Sequence, residues 1–310
     1  VAEEFAIRIH GVSKRFGDRP ALSDVDLDVI RGSVFALVGP DGAGKSTLLK
    51  ILCGLVKPDT GETEVLGHRL PGDRRRLRRR LGYLSQRFSL YGDLSIDENL
   101  AFTAEIYGQR TYESRRDDLL AMTGLTPFRN RTADKLSGGM RQKLALACTL
   151  IHDPDLILLD EPTNGVDPVS RREFWRLLKD LGRRGITLVM STPYLDEAER
   201  ADGVAMIHQG RPILVGSPSK IRRDWNMGLF EVFCDRNRRA AGLLNRRFPL
   251  GDAQAFGDRV HLALPAGSGN LEAVTGFLRG EGIAVRRSGA VRPGLEDIFL
   301  TRIREMTAHG

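Results

Sequence analysis

The chain has 310 residues, 41% hydrophobic and 28% charged, with a formal net charge of +7. These totals exclude a disordered polymer and predict about two globular domains. No apolar run approaches the roughly 18 residues a membrane-spanning helix needs. Three scattered cysteines, Cys53, Cys148 and Cys234, exclude a disulfide framework or a cysteine metal site, and a reducing cytosol is expected.

The first residues, Val1, Ala2, Glu3 and Glu4, are acidic and lack the apolar stretch of a signal peptide. Ala6 to Val12 alternates as a strand, and Lys14-Arg15-Phe16-Gly17-Asp18 reads as the turn after it. Leu22 to Val29 alternates apolar residues with Asp or Ser, which predicts a strand with one wet face. Val34 to Val38 is an apolar, β-branched run that predicts a buried strand.

Gly39-Pro40-Asp41-Gly42-Ala43-Gly44-Lys45-Ser46-Thr47 follows that strand and fits the phosphate-loop pattern G-x-x-x-x-G-K-[ST] without a mismatch. The apolar positions Leu48, Leu49, Ile51, Leu52 and Leu55 then predict a helix. Glycines let successive N–H groups point inward at an anion, and the helix starting at Lys45 adds its positive end. Lys45 reaches the β- and γ-phosphates in such a loop, and the Ser46 hydroxyl binds Mg²⁺. Phe16, an aromatic shortly before the loop, suits stacking on an adenine; a core phenylalanine is the alternative.

Lys57 to Gly61 carries a turn signal. Arg74 to Arg80 holds six arginines in seven positions. A solvated helix face is the first reading and an anionic partner the second; with no interleaved aromatics, nucleic acid is not an expected partner. Leu81 to Gln86 reads as a strand ending at Gln86. Helical patterns over Asp97 to Leu120 and Lys143 to Ile151 predict a mostly helical insert.

Within it, Leu136-Ser137-Gly138-Gly139 leads into a helix, offering either free N–H groups for an anion or simply a cap. Leu156 to Asp160 and Glu161 is an apolar run ending in two acids, as expected of a buried strand at the ligand edge of a parallel sheet. Asp160 suits Mg²⁺ through water, and Glu161 suits orienting an attacking water. Ile186 to Ser191 is a further buried strand, and Val204 to His208 with Ile213 to Gly216 predicts a closing hairpin.

The pattern changes after Gly216-Ser217-Pro218-Ser219. The expected division is a nucleotide-binding domain over 1–216, with its helical part at about 87–150, a linker over 217–226, and a small α+β domain over 227–310. In the last, strands at Leu229 to Cys234, Arg259 to Leu264 and Ile283 to Arg287 and helices at Arg238 to Arg247, Asn270 to Arg279 and Leu295 to Arg304 suit a ferredoxin-like arrangement.

The phosphate loop, Gln86, Leu136-Ser137-Gly138-Gly139 and Asp160-Glu161, in this order, resemble the ATP-binding cassette (ABC) proteins over roughly Phe5 to Gly216. Glu161 to Pro168, Tyr194 to Ala198 and Pro293 to Leu300 further resemble the ATPase subunits of ABC-2 type bacterial drug-resistance exporters. The resemblance implies an α/β fold: a phosphate-loop NTPase (RecA-like) core with an antiparallel β subdomain and a helical insert. It implies that Phe16 stacks on adenine, that Gly39 to Thr47 cradle the phosphates, and that Gln86 contacts Mg²⁺ and the attacking water. Ser46 and Asp160 are the other metal ligands it implies, with Lys45, Gln86 and Glu161 carrying hydrolysis. Ser137, Gly138 and Gly139 would touch the γ-phosphate held by an opposite subunit, and Asp167 would lie in the loop at the dimer interface. A head-to-tail pair of cassettes with two ATPs between them is therefore expected.

Two residues depart from the family pattern. Met140 stands where glutamine is usual, and Pro193 stands where most members have the switch histidine. Proline offers no N–H and no side-chain donor, so slow turnover at this chain's own site is expected. The implied activity is an ATPase energising an exporter, with multidrug efflux the expected process. Its permease would be another polypeptide, and the chain would sit at the inner face of the membrane. The arginine run and the Gln86 to Asp97 segment are candidates near the permease contact. The competing classes are a regulatory cassette that hardly hydrolyses ATP and a non-transport ABC protein acting on ribosomes or DNA.

Overall fold

The computed structural model describes residues 4–86, 90–265 and 267–308, with backbone alone at 307–308. Val1, Ala2 and Glu3 of the acidic start lie outside the described residues, as do Arg87, Phe88 and Ser89 of the Gln86 to Asp97 segment and the start of the 87–150 helical part. The chain divides into two units, one to Ser217 and one from Pro218.

β1 (Phe5–Phe16) continues further than the alternation predicts, and only Gly17 and Asp18 turn into β2 (Arg19–Ile30). Asp59 explains the extension: it accepts from Lys14 Nζ at 2.6 Å and from the Arg15 N–H at 2.7 Å. These bonds hold the charged end in the ladder. β3 (Val34–Val38) is buried at every position, and α1 (Lys45–Leu52) packs Leu48, Leu49, Ile51 and Leu52 into the same core. Each such side chain contributes about 1.5–3 kcal/mol by leaving water. β4 (Thr60–Val65) and β5 (His68–Leu70) complete an antiparallel sheet ordered β2-β1-β4-β5. Thr60 and Gly61, read as a turn, already belong to β4.

α2 (Arg74–Leu77) is one turn long; Leu77 is buried while Arg74, Arg75, Arg76, Arg78 and Arg79 are exposed. The solvated-face reading of the arginine run therefore holds, with Arg80 paired to Asp155 at 2.6 Å. β6 (Leu81–Leu84) stops two residues before Gln86. The long helical pattern is two helices, α3 (Ile96–Ile106) and α4 (Glu113–Thr123), because Gly108 takes φ +68° and ends the first. Ser95 and Glu98 cap α3 reciprocally. α5 (Gly138–Leu150) begins five residues earlier than its apolar pattern predicts.

β7 (Leu156–Asp160), α6 (Pro168–Arg183), β8 (Thr187–Thr192), α7 (Leu195–Ala198), β9 (Gly203–His208) and β10 (Arg211–Gly216) complete the first unit. Its second sheet is ordered β10-β9-β3-β8-β7-β6, parallel except for the β9–β10 hairpin. The parallel core, the antiparallel sheet and the helical insert agree with the expected α/β fold.

The second unit opens with α8 (Pro218–Arg223), which lies where the sequence reads as linker. β11 (Met227–Cys234), α9 (Asn237–Arg247), β12 (Asp252–Phe256), β13 (Arg259–Pro265), α10 (Leu271–Gly280) and β14 (Val285–Val291) follow, then α11 (Leu295–Ala308). The antiparallel sheet is ordered β12-β13-β11-β14, the ferredoxin-like arrangement.

A buried histidine gives the first unit a testable acid sensitivity. His152 lies flat against Tyr107, with ring centroids 3.7 Å apart, and its Nε2 is 3.1 Å from the Leu81 carbonyl oxygen. Burial holds its pKa below the ordinary 6.5. A depressed histidine pKa means the unfolded chain takes up the proton first. Stability is thus complete above 6.5 and is lost as pH falls below it, by at most about 1.4 kcal/mol per pH unit. Urea unfolding of wild type and His152→Phe at pH 7.5 and 5.5 measures this. The stability gap between them is expected to shift toward the variant on acidification; a constant gap refutes it.

Candidate functional site

The C-terminal edges of neighbouring strands β3, β8, β7 and β6 bring the candidate residues together. Ladder partners at this edge include Val38 with Thr192, Asp160 with Ser191, and Leu84 with Leu159. The loop from Gly39 to Thr47 leaves β3 at this edge. A Cβ on Gly39 would run into the carbonyl oxygen of Ile207. Gly44, with φ +107°, caps α1 without any side-chain hydrogen bond to the helix. The first amides of α1 have no carbonyl one turn back, so they stand ready for an anion. Pro40, Asp41 and Gly42 are exposed on the loop, Ala43 is buried, and Thr47 is half-buried.

Lys45, 3% exposed, donates to the carbonyl oxygens of Gly39 and Pro40 at 2.8 and 3.1 Å, and lies 3.3 Å from Glu161 Oε1. Ser46 Oγ donates to Asp160 Oδ1 at 2.9 Å. This pair is a hydroxyl and a carboxylate, the oxygen donors a small hard cation such as Mg²⁺ prefers. Among the described residues no cluster of three or more His, Cys, Asp or Glu forms a protein-only metal cage. The residues therefore fit an Mg²⁺ that takes its other ligands from water and phosphate.

Glu161 is tightly determined. Its backbone is left-handed at φ +47°, which costs about 1–3 kcal/mol in a residue with a Cβ. Its N–H donates to Ser191 Oγ at 2.9 Å, while its Oε2 accepts from Gln86 Nε2 at 3.0 Å and Asn164 Nδ2 at 3.4 Å. Ser191 Oγ in turn donates to Asp160 Oδ1 at 2.7 Å, so one hydroxyl spaces both acids. Tyr83 reaches Asp160 Oδ2 at 3.5 Å; burial first, and the Asp160 charge second, push its pKa up. Gln86 is thus placed against Glu161.

Phe16 is 54% exposed, which rules out the core alternative, and Lys14 Nζ lies 5.5 Å from its ring centre. It pairs with Arg19, whose guanidinium lies 3.3 Å from where a Gly42 Cβ would sit. The aromatic therefore stands at the hairpin end beside the loop.

Ser137 caps α5, accepting from Met140 N–H at 3.3 Å. Gly138 is exposed, and Gly139 is packed so closely on Ser170 that a Cβ would come within 2.5 Å of its Oγ. Among the described residues these three make no hydrogen bond to the loop of residues 39–47. Asp167 caps α6, accepting from Val169 and Ser170 N–H at 3.0 Å each, and the Ser170 bonds lower its pKa. Gln142 of α5 donates to the Pro162 carbonyl, linking that helix to the acid loop.

Ser191, Asn164 and Tyr83 were not legible as site residues. A signal for Ser191 existed: like Asp160 and Glu161, Ser191-Thr192 is a polar pair closing a buried apolar strand. Tyr83 reaches Asp160 only through the fold, and Asn164 bonds Glu161 from three residues further along the same loop.

A family profile described as ABC transporter matches residues 22–164. The probable multidrug ABC transporter ATP-binding protein YbhF of Escherichia coli (strain K12) is 40% identical over 222 residues, which are 71% of this chain and 38% of that protein. The matched stretch thus spans well under half the length of that relative. The daunorubicin resistance ATP-binding protein DrrA3 of Streptomyces coeruleorubidus is 35% identical over 301 residues, covering 95% of both chains. Among solved structures, the ATP-binding cassette MJ0796, in a dimeric post-hydrolysis state bound to ADP and Pi, is 30% identical. Its TM-score is 0.61, over 68% of this chain and 98% of that one.

Proposed function

The chain belongs to the ABC transporter family as an ATP-binding cassette, and from that premise we propose that it binds and slowly hydrolyses ATP to energise an exporter. One observation carries the reading: the Gly39 to Thr47 loop, Lys45, the Ser46–Asp160 pair and Glu161 converge within hydrogen-bond reach. Phe16 stacks on the adenine. The loop amides and Lys45 hold the β- and γ-phosphates, Lys45 exchanging its carbonyl partners for phosphate oxygens. Ser46 and Asp160 would hold Mg²⁺, with the Gln86 side-chain oxygen a further donor to it; when bound, the ion would neutralise charge on the phosphates. Glu161 accepts a proton from, or orients, the attacking water, with Gln86 setting its carboxylate.

Ser137, Gly138 and Gly139 turn to a second cassette: Ser137 and Gly138 are exposed, and among the described residues none of the three bonds the loop of residues 39–47. The pair is head to tail, a homodimer or a pseudo-symmetric one. The likeness to DrrA3, a daunorubicin resistance ATP-binding protein, and to YbhF, a probable multidrug ABC transporter ATP-binding protein, supports multidrug efflux as the process.

An ABC-2 type permease is the second partner. No described helix is long and apolar enough to cross a membrane; a permease on a separate polypeptide is part of this proposal. A cavity of about 240 Å³ between β6, α3 and α5 is lined by Tyr91, Phe102, Ile106 and Tyr107. Tyr91, Phe102 and Ile106 remain 48%, 36% and 52% exposed. This hollow on the helical insert, with its exposed aromatic rim, suits a short permease helix, and on this proposal the chain works at the inner face of the cell membrane.

Pro193 follows directly on β8, between Thr192 and Tyr194. It supplies no donor to transition-state charge, a loss worth on the order of 10²–10³ in rate. Pro193→His is therefore expected to raise steady-state ATPase, by about tenfold or more, with KM for ATP little changed. An unchanged rate would refute the slow-site reading.

A further inference from the structure

Glu197 is buried, 1% exposed, in α7, beyond the switch position. Its Oε2 accepts from Thr163 Oγ1 at 2.9 Å and from Thr192 Oγ1 at 2.7 Å. Thr163 lies two residues after Glu161, in the loop that ends at Asp167. Thr192 lies immediately before Pro193, and its Oγ1 also accepts from the Tyr194 N–H at 3.0 Å. One carboxylate oxygen thus binds two loops that approach the reacting centre from different strands.

Arg171 of α6 completes the arrangement. Its Nε lies 3.7 Å from Glu197 Oε1, and its guanidinium sits 4.2 Å over the Tyr194 ring. A buried carboxylate is costly unless paired and hydrogen-bonded; here two hydroxyls bond one oxygen, and the guanidinium faces the other as an ion pair without a hydrogen bond. With proline at the switch position, the turn of residues 192–194 has no imidazole to register it on the γ-phosphate. What fixes it is the Thr192 hydroxyl and the Tyr194 ring, both held through Glu197 and Arg171.

We propose that Glu197 is a positioning residue that locks the switch turn to the loop carrying Glu161, so that the two loops move as one unit. This rests on the ATP-hydrolysing reading of the site. Among the described residues Glu197 makes no hydrogen bond or ion pair to the glycine loop or Phe16, so ATP binding is insensitive to it and the chemical step is not.

The test uses the full chain with Thr163→Val, Thr192→Val and the double variant, which remove hydroxyls without leaving a large void, together with Glu197→Gln. Single-turnover hydrolysis of Mg-ATP is expected to slow about tenfold in each valine variant. The double should be no slower than Thr192→Val alone, because both act through one carboxylate. Glu197→Gln, whose carbonyl oxygen accepts from both threonines, should stay within about threefold of wild type, and ATP affinity should hold within about twofold throughout. Additive losses in the double variant, wild-type rates in both singles, or affinity falling with rate would overturn the proposal.

Amide exchange without nucleotide separates this from the ATP reading. Thr163→Val should raise exchange at residues 192–195, across the clamp; exchange confined to its own loop would overturn the clamp whether or not ATP binds. Absence of ATP binding by wild type would overturn the functional reading alone.

Discussion

Glu161→Gln is expected to lower ATP turnover by about 10²–10³-fold while ATP affinity stays within about threefold of wild type. The side chain keeps its size, so the left-handed backbone at φ +47° and the Ser191 bond to its N–H survive. What changes is the charge and one lone-pair set. Oε2 now accepts from the amides of Gln86 and Asn164, and Oε1 faces Lys45 at 3.3 Å. An amide replaces one acceptor by a donor and is no base, so the attacking water loses its proton acceptor. Lys45 also loses a buried anion, which frees it for phosphate oxygens; binding is therefore spared. Steady-state ATPase and equilibrium ATP titration on the same protein measure both. A parallel loss of affinity and rate would move Glu161 from chemistry to binding.

Gly44→Ala is expected to abolish ATP binding, by more than about a hundredfold in affinity, and to destabilise the chain by about 3 kcal/mol. The residue sits at φ +107°, where an L-residue is strained even without neighbours. A Cβ there would lie 2.5 Å from the Ala21 carbonyl oxygen and 2.8 Å from Leu22 Cδ2. The carbonyl belongs to β2 and cannot withdraw without breaking the sheet, so the loop must shift instead. A shifted loop turns the first amides of α1 away from their common target. Gly42→Ala is the informative contrast. At φ +78° its nearest neighbour is the flexible end of Arg19 at 3.3 Å, so a smaller stability loss is expected. Urea unfolding and ATP titration of both variants check this; equal effects would show that the loop tolerates side chains as a whole.

The parts of the site legible in the sequence are those that one stretch of chain builds by itself. The phosphate loop needs only a strand, its glycines and a helix start, all contiguous from Val34 to Leu52. Asp160 and Glu161 announced themselves because charges rarely close a fully apolar run. Ser191 acts across strands β7 and β8, Glu197 of α7 bonds Thr163 after β7 and Thr192 at the end of β8, and Asn164 bonds Glu161 three residues back; Asn164 and Glu197 carry no local pattern that marks them as site residues. In the fold, α6 went unread. Asp167 as cap, Pro168 at the first position and the stripe of Phe174, Trp175, Leu178 and Leu181 were present, but the many charges of its outer face diluted the stripe. β4 and β12 were missed because Thr60 to Val65 carries one apolar residue and Asp252 to Phe256 has two alanines and one aromatic but no β-branched residue; pairing with β1 and β13 makes them strands.

The central claim is that ATP lies in the glycine loop and is sealed by the Ser137-Gly138-Gly139 stretch of a second cassette. The most direct measurement is the molar mass and bound nucleotide of the Glu161→Gln chain, alone and with any companion cassette, as Mg-ATP is added. The account predicts a shift from single chains to pairs holding ATP between them, lost in a Ser137→Arg variant that still binds nucleotide as a single chain. A chain that stays single and nucleotide-free at saturating Mg-ATP would contradict it.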